Sequence, residues 1–395
     1  MRGGDSIGIR AFNERLVVDS ILQAGSLSKA ELSRATGLSA NAATVIANRL
    51  IEQGLLQKCA PVRGQVGQPS TPIAVNPDGA YSIGITIGRR SVQSLLVDLI
   101  GEIIAWREVP HDYPEPLATV QTAISQCTGL LSSLTQSDRD RILGIGIAVP
   151  GEIQAWTEEL GLKPGALADW TKIDIARDIA EATDLETTLL NDASAACAAE
   201  MIAGDGIVYQ SALYIYFGTF IGGGIVLNGR LYQGAYGNAG SLGSMPVGLE
   251  SATSGRDQLI HRASLLQLEA KLNDAGLDPQ EALNGGGGSG ANTVFQRWMD
   301  QAAPAVAQAI VSALSVVDFE TVVIDGAFPP TWRRQLKRRI ADEVGLLNLS
   351  GIVVPEIATG TIGQRAPALG AAMMPIRKRF SPDPAMVVQR SPASG

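Results

Sequence analysis

Two neighbouring arginines, Arg89 and Arg90, occupy a turn whose surroundings are typical of a phosphate-binding site. The segment SIGITIGRRSVQSLLVD (82–98) has apolar runs on both sides of Gly88, which predicts two strands joined by a tight turn. Nucleotide-binding turns use glycines and a small hydroxyl residue to bring backbone N–H groups close to phosphate. Two long cationic side chains do not suit that role. We therefore expect a solvated turn, with binding of a different anion as the alternative.

A second polar feature is the pair Asn191 and Asp192 in LLNDASAACAAE, between an apolar run and an alanine-rich segment. Both residue types are favourable at the start of a helix, where they accept hydrogen bonds from free backbone N–H groups and complement the helix dipole. A carboxylate there also suits contact with a ligand. The sequence alone leaves both roles open.

The composition limits the class of protein that has to position these residues. A chain of 395 residues with 45% hydrophobic content is long and apolar enough for two or three folded domains, and 44 glycines with few aromatics favour an α/β protein. Three widely spaced cysteines suit a reducing cytosol, and two histidines make a histidine-based metal site unexpected. We see neither a signal peptide nor an apolar run of membrane-spanning length. The prediction is a cytoplasmic protein with no membrane partner.

Residues 10–75 are predicted to form a separate winged helix-turn-helix unit. A first helix with apolar residues at helical spacing precedes a second helix that begins with the capping-box pair Ser28 and Glu31. A turn at Gly37 leads to a third helix capped by Ser39, and two apolar segments around a Gly/Pro-rich tip follow as the wing. Residues 1–75 have eight Lys or Arg against five Asp or Glu, in a chain whose net charge is −8. Because the helix-turn-helix, the wing and a basic tip occur together and in this order, DNA binding is favoured over a generic three-helix packing unit.

The start of the third helix is the part that meets base edges in the major groove. Asn41 can pair with adenine through two hydrogen bonds, and Ala42 or Thr44 can touch a thymine methyl group. Ser28 and Lys29 are placed for phosphate contacts. A solvated surface role is the alternative for Asn41.

From Tyr81 the sequence becomes β-rich, and strand-like segments alternate with helix-like ones. This alternation predicts two related α/β lobes, residues 80–195 and 196–380, followed by a disordered tail, 381–395. The glycine-rich stretch NGGGGSG (284–290) lacks the Lys-Ser/Thr of a phosphate loop, so we interpret it as a flexible connection.

Several ordered motifs, taken together, resemble the ROK family of repressors and sugar kinases. They are the winged helix-turn-helix followed by GIGIAVPG, LLNDASAACAAE, GTFIGGGIVLNGRLYQGAYGNAGSLG and ALGAAMMP, spread over residues 11–378. The resemblance implies a two-lobed actin-like sugar-kinase fold, and the DNA-binding head is typical of the family's regulators. In relatives the wing tip enters an A·T-rich minor groove. The predicted DNA-contacting residues are Ser28, Lys29, Ser39, Ala40, Asn41, Ala42, Thr44, Asn48, Arg63, Gln65 and Gln68.

The positions that match the family's ATP and zinc motifs have changed. The first phosphate turn, D-x-G-G-T, is Thr86 to Arg90 here; the second has Phe220 in place of a glycine; the late G-G-G turn is Asp325 to Ala327. ATP use in such a fold requires close backbone approach and an acidic residue for Mg²⁺, so we expect neither kinase activity nor a cofactor. The family's zinc-binding cysteine cluster is replaced by ESATSGRDQL (250–259), and no metal is expected.

On the sugar side, Asp192 matches the family's catalytic base, which in regulators of the family holds sugar hydroxyls. The family's N-L-P-G-W appears as Ala166 to Trp170, its G-E-I-G-H as Gly240 to Ser244, and a further glutamate as Ile260, so several sugar ligands are lost. The predicted ligand-contacting residues are Gly151, Asn191, Asp192, Ser241 and Ser244.

These observations predict a repressor of carbohydrate uptake or catabolism genes that binds double-stranded operator DNA. A sugar or sugar phosphate would bind between the lobes. Because one head of charge +3 binds DNA weakly, a homodimer or homotetramer is expected. Two alternatives remain: a divergent sugar kinase with an attached head, and a regulator that responds to a protein partner or to no ligand.

Overall fold

A computed structural model describes residues 6–61, 71–204, 210–248 and 258–382. The head comprises helices α1 (Ser6–Ala24), α2 (Lys29–Thr36) and α3 (Ala40–Glu52) and strands β1 (Ser26–Leu27), β2 (Leu56–Lys58) and β3 (Ile73–Val75). The strands form a small antiparallel sheet in the order β1-β3-β2. The head is thus three helices with a β-wing, and the wing tip, residues 62–70, lies outside the described residues.

The first lobe is built on a five-stranded sheet in the order β6-β5-β4-β7-β8. Its strands are β4 (Tyr81–Ile87), β5 (Ser91–Asp98), β6 (Ile103–Pro110), β7 (Ile142–Val149) and β8 (Thr187–Asn191), and its helices are α4 (Pro116–Ser132), α5 (Gln136–Arg139), α6 (Trp156–Glu159), α7 (Ile175–Thr183) and α8 (Asp192–Ala203). The first three strands are antiparallel neighbours, whereas β4, β7 and β8 run parallel. Side chains buried on both faces of β4 and β5 explain their nearly continuous apolar sequences.

The second lobe repeats this plan with the sheet order β11-β10-β9-β12-β13. Its strands are β9 (Ser211–Phe217), β10 (Ile221–Leu227), β11 (Arg230–Tyr232), β12 (Thr321–Gly326) and β13 (Glu356–Thr359), and its helices are α9 (Ile260–Ala263), α10 (Leu265–Asp274), α11 (Pro279–Leu283), α12 (Gly288–Leu314) and α13 (Pro330–Val344). The glycine-rich stretch is not only a connection, as its last glycines form the first turn of α12. Hydrophobic side chains of α12 and α13 fill the core of this lobe.

The last helix, α14 (Ala366–Phe380), follows the second lobe in sequence but packs on the first sheet and on α8. Three glycines permit this close approach. A Cβ atom on Gly84 or Gly146 would lie 2.1 and 1.7 Å from backbone oxygens of α14, and one on Gly370 would lie 1.7 Å from the Ala195 oxygen. The sequence assigns residues 196–380 to the second lobe. Helix α14 lies within that range but packs against the first lobe.

The head is packed against the body. One hydrophobic cluster contains Val17 and Leu50 of the head, Leu99 of the first lobe, and Met373 and Phe380 of α14. The Arg15 guanidinium donates to the backbone oxygen of Lys378 at 3.1 Å. Within the described ranges, no helix combines the length and apolarity needed to cross a membrane.

Candidate functional site

The exposed face of α3 carries the residues that the sequence predicts to meet DNA. Ala43, Ile46, Ala47 and Leu50 are buried in the head, which leaves Asn41, Thr44 and Asn48 on the opposite side at helical spacing. Asn41 and Asn48 are exposed and Thr44 is half-buried, so polar groups of all three lie at or near the surface. The remaining predicted residues at this end, Ser39, Ala40 and Ala42, form the first turn.

Local hydrogen bonds fix the orientation of α2 and α3. The Ser28 hydroxyl accepts from the Glu31 N–H, and the Glu31 carboxylate accepts from the Ser28 N–H at 2.8 Å, which confirms the capping box. Ser39 caps α3 by accepting from the Ala42 N–H at 3.2 Å. The hydroxyl protons of both serines remain available to donate to a phosphate.

Sequence reasoning missed three exposed residues of the head. Val45 is 57% exposed on the face of α3 that carries Asn41 and Asn48; its spacing of four from Asn41 was a usable signal. Arg34 on α2 and Lys58 on β2 are exposed cations in the elements that immediately precede and follow α3 in the sequence. By contrast, Arg49 pairs with Glu14 of α1 and serves the packing of the head. Arg63, Gln65 and Gln68 lie outside the described residues.

In the body, the carboxyl ends of three parallel strands bring Gly151, Asn191 and Asp192 to one edge of the first sheet. Thr86 of β4 aligns with Ala148 of β7, and Ala148 aligns with Leu190 of β8. Thr86 and Leu190 are thus separated by two strand spacings, about 10 Å, and Gly88 and Asp192 each follow two residues later in the chain. Gly151 follows β7 between them. This edge is where open α/β sheets bind ligands.

Asp192 is the first residue of α8 and is not its cap. The Asn191 side chain is the cap and accepts from the N–H groups of Ala193 and Ser194. The Asp192 carboxylate accepts from the Ala193 N–H at 2.8 Å and from its own backbone N–H, and it has no cationic partner among the described residues. Burial raises its pKa from 3.8 to about 6, against the opposing effect of these two backbone hydrogen bonds. The carboxylate is thus held in a poorly solvated position with acceptor capacity unused.

Ser241 and Ser244 are not brought to this carboxylate. Gly222 and Gly224 of β10 face α8, whereas Gly223 between them faces Leu242. Because successive strand residues point to opposite faces, the segment with both serines packs on the side of β10 away from α8. Ser241 donates its hydroxyl to the Asn238 oxygen at 2.7 Å.

Arg89 and Arg90 do not form a solvated turn, so that expectation was wrong. The Arg90 guanidinium lies 2.7 Å and that of Arg89 3.4 Å from the same oxygen, Oε2, of Glu269 on α10. The side chains of Arg89 and Glu269 are 18% and 6% exposed. Burial lowers the pKa of Arg89, partly offset by Glu269. These three residues, the arginine–glutamate cluster, join the first lobe to the second.

Two further contacts cross between the lobes. Phe220, which takes the place of a glycine in the second turn, packs its ring 5.0 Å from that of Trp156 on α6. His261 of α9 in the second lobe lies 3.8 Å from the carboxylate of Glu159, which is on α6 together with Trp156. Thus both altered turns place side chains in contact with the opposite lobe.

The third altered turn contains a buried network. Arg333 donates to Asp325 at 2.5 Å, and the Tyr214 hydroxyl donates to the same carboxylate at 2.8 Å. Asp325 is fully buried, and the N–H of Gly363 also donates to it. This carboxylate is therefore occupied by internal partners. In the described part of the chain no group of three or more His, Cys, Asp or Glu is arranged to hold a metal; residues 249–257, which include most of the segment that replaces the relatives' cysteine cluster, lie outside it.

Comparison with known proteins gives a consistent match. The sequence profile of the ROK family matches residues 82–378. The xylose repressor of Bacillus subtilis is 24% identical over 398 residues, covering 94% of this chain and 97% of that protein. A solved ROK family transcriptional regulator, a homologue of the E. coli MLC protein, has a TM-score of 0.68 at 19% identity and covers 95% of this chain and 98% of its own. A ROK glucokinase from Streptomyces griseus, in complex with glucose and AMPPNP, has a TM-score of 0.59 at 19% identity and covers 74% and 98%.

Proposed function

The chain belongs to the ROK family, and we propose that it is a transcriptional repressor that binds operator DNA through its head and is controlled by a small sugar or sugar phosphate between its lobes. The observation that carries this proposal is the exposed polar face of α3 on a capped, packed winged helix-turn-helix. The full-length similarity to a xylose repressor supports the same function and the sugar class of effector.

The proposal includes the absence of kinase activity. ATP hydrolysis or transfer in this fold requires backbone N–H groups and a metal-binding carboxylate around the phosphates. Here the first turn is occupied by an ion pair with Glu269, and Phe220 of the second contacts Trp156. These contacts favour a binding role for the cleft over phosphoryl transfer.

Helix α14 supplies a physical connection between the cleft and the head. It packs on α8, whose first residue is Asp192, and its end contacts α1 of the head. A ligand that favours one arrangement of the lobes would move α8 and α14, and with them the head. The change in DNA affinity can be no larger than the ligand's differential affinity for the two arrangements.

We further propose that the protein acts in the cytoplasm as a homodimer or homotetramer. A head with a charge of +3 makes few phosphate contacts, and two heads on two half-sites would gain affinity through their effective concentration. Closed symmetry would then place the half-sites about one helical turn of DNA apart, or a multiple of it.

The test is selection of genomic DNA fragments by the purified protein at a stated salt concentration. The expected result is a palindromic site beside sugar transport or catabolism genes, and with Asn41→Ala a weaker enrichment in which one base pair of the site is no longer selected. A sugar panel then follows in a thermal shift assay, where a ligand at about 100 times its Kd stabilises by roughly 2.7 kcal/mol. Absence of any enriched site would contradict the repressor function.

One observation favours a second candidate, a divergent sugar kinase: the carboxylate of Asp192 is retained at the start of α8 with a pKa near neutrality. A coupled phosphorylation assay over the same panel decides between them. Turnover that Asp192→Asn abolishes would support the kinase. A regulator that answers to a protein partner, or to no ligand, would show neither turnover nor a thermal shift.

A further inference from the structure

The arginine–glutamate cluster has more positive charge than its partner neutralises. Two guanidinium groups share one carboxylate oxygen, and the structure provides no second anion for them among the described residues. The Arg89 Nε–H is buried and has no hydrogen-bond acceptor. A buried donor without an acceptor is costly, and guanidinium groups bind carboxylate and phosphate in similar geometry. The cluster therefore has unused capacity for an anion with more acceptor oxygens than Glu269.

The turn that carries the arginines is a firm support. The Gly88 N–H donates to the Ser91 oxygen. His111 makes two further hydrogen bonds to the turn: its backbone N–H donates to the Arg90 oxygen, and its ring nitrogen lies 3.0 Å from the Gly88 oxygen. The turn is thus positioned by its own lobe, whereas Glu269 comes from the other. Separation of the lobes would leave the arginines in place and remove only the carboxylate.

The position of the turn limits the ligand. Gly88 and Asp192 follow strand ends at the same edge of the sheet, where Thr86 and Leu190 are separated by two strand spacings, about 10 Å. A ligand that reaches both needs a hydroxyl group at one end and an anionic group at the other.

We propose that Arg89 and Arg90 form a binding site for the phosphate group of a phosphorylated small molecule, and that Glu269 occupies this site in the ligand-free protein as an internal substitute. The Glu269 carboxylate then holds the lobes together, and the phosphate group displaces it. The consequence for operator binding rests on the proposed function, but the binding site itself does not.

Phosphate binding is measured directly, without DNA, by titration calorimetry with inorganic phosphate at constant ionic strength. Glu269→Gln removes the competing charge and should bind phosphate at least tenfold more tightly than the unmodified protein. The double variant Arg89→Gln/Arg90→Gln should not bind it. Asp169→Asn, which removes the carboxylate of an exposed ion pair within the first lobe, is the matched control and should bind as the unmodified protein does.

Glucose and glucose 6-phosphate identify the source of the phosphate group. The phosphorylated sugar should bind Glu269→Gln more tightly than inorganic phosphate does, and Asp192→Asn should remove that advantage. Equal affinities would identify free phosphate as the ligand of the same site. Glucose alone should bind more weakly than its phosphate.

Equal phosphate affinity in the unmodified protein, Glu269→Gln and the double arginine variant would overturn the proposal. If Glu269→Gln does not fold, the comparison of the unmodified protein with the double variant decides alone: unchanged phosphate binding rejects the site. Small-angle scattering gives an independent readout, because saturating phosphate should increase the radius of gyration of the unmodified protein and leave that of the double arginine variant unchanged. Since no operator is present, failure here leaves the repressor proposal standing.

Discussion

At the scale of single residues, α3 separates packing from recognition by the side of the helix on which a residue lies. Ile46 and Leu50 face the head's core, whereas Asn41 faces solvent and its side-chain amide has no hydrogen bond to any other described residue. Asn41→Ala should therefore leave folding unchanged. Loss of a bidentate contact to adenine should weaken operator binding by about 1–3 kcal/mol and relax specificity at one base pair. Titration of operator variants by fluorescence anisotropy checks this, and the exposed Gln23→Ala on α1 is the control.

Val45 provides a second test, because an exposed apolar side chain buries little area on folding and so contributes little to the free energy of unfolding. At 57% exposure, its truncation to alanine should not change the free energy of unfolding, but should weaken binding to an operator with a thymine opposite it. Val17→Ala, the same change at a fully buried position of α1, should instead lower stability by roughly 2 kcal/mol through the loss of two methyl groups. Urea unfolding and DNA titration of both variants separate the roles. Equal loss of stability in the two variants would contradict the assignment.

Asp192 should make stability depend on pH. Its pKa is about 6 in the folded protein and 3.8 in the unfolded chain, because burial disfavours the charged form. The folded state thus binds more protons between these values, and stability falls as pH rises from about 4 to 6. Asp192→Asn has no such ionisation, so its free energy of unfolding should not show this loss. The difference in free energy of unfolding between the variant and the unmodified protein should grow from pH 4 to pH 6 and stay constant above pH 7, at up to about 3 kcal/mol. Urea unfolding from pH 4 to pH 8 measures it, with the exposed Asp169→Asn as control; parallel pH profiles would contradict it.

At the scale of elements, the crossing of α14 with α8 depends on a glycine. A Cβ on Gly370 would lie 1.7 Å from the Ala195 oxygen, so Gly370→Ala must push the two helices apart and should cost at least about 2 kcal/mol. Gly290→Ala is the matched control, because that glycine is also helical but its Cβ would meet only Leu277 at 3.6 Å. Alanine is the better helix former, so this control should be neutral or stabilising by up to about 1 kcal/mol. Thermal unfolding of the pair measures the difference, and equal midpoints would show that the crossing adapts.

Elements were also the scale at which the sequence was most informative. The caps at Ser28 and Ser39 and the buried face of α3 followed from spacing alone, because they depend on residues three or four apart. The pairing of Arg90 with Glu269 could not follow in this way, since 179 positions separate them and only the closure of the lobes brings them together. The return of α14 to the first sheet is equally non-local. The small residues that this packing needs are present in the sequence as GAA after Leu369. The sequence does not indicate that they face the first sheet and α8.

At the scale of the whole molecule, one hydrophobic cluster contains side chains of the head, the first lobe, α14 and one face of β9 and β12, so these elements should lose protection together. Phe380 at the end of α14 is 5% exposed within that cluster. Phe380→Ala should lower the hydrogen-exchange protection of α1 and α3 by at least tenfold, since truncation of a buried phenylalanine costs about 3–5 kcal/mol. Protection of α12 and α13, whose buried side chains belong to the separate core of the second lobe, should change less.

The matched control is Phe328→Ala, a phenylalanine that is 4% exposed in the core of the second lobe. It should reverse the pattern and lower protection in α12 and α13 more than in α1 and α3. If Phe380→Ala leaves the protection of the head unchanged, α14 does not hold the head to the body. The Leu99 N–H donates to the Pro77 oxygen where the first lobe meets the link to the head. In that case this connection is the second candidate route from Asp192 to the DNA-binding helix.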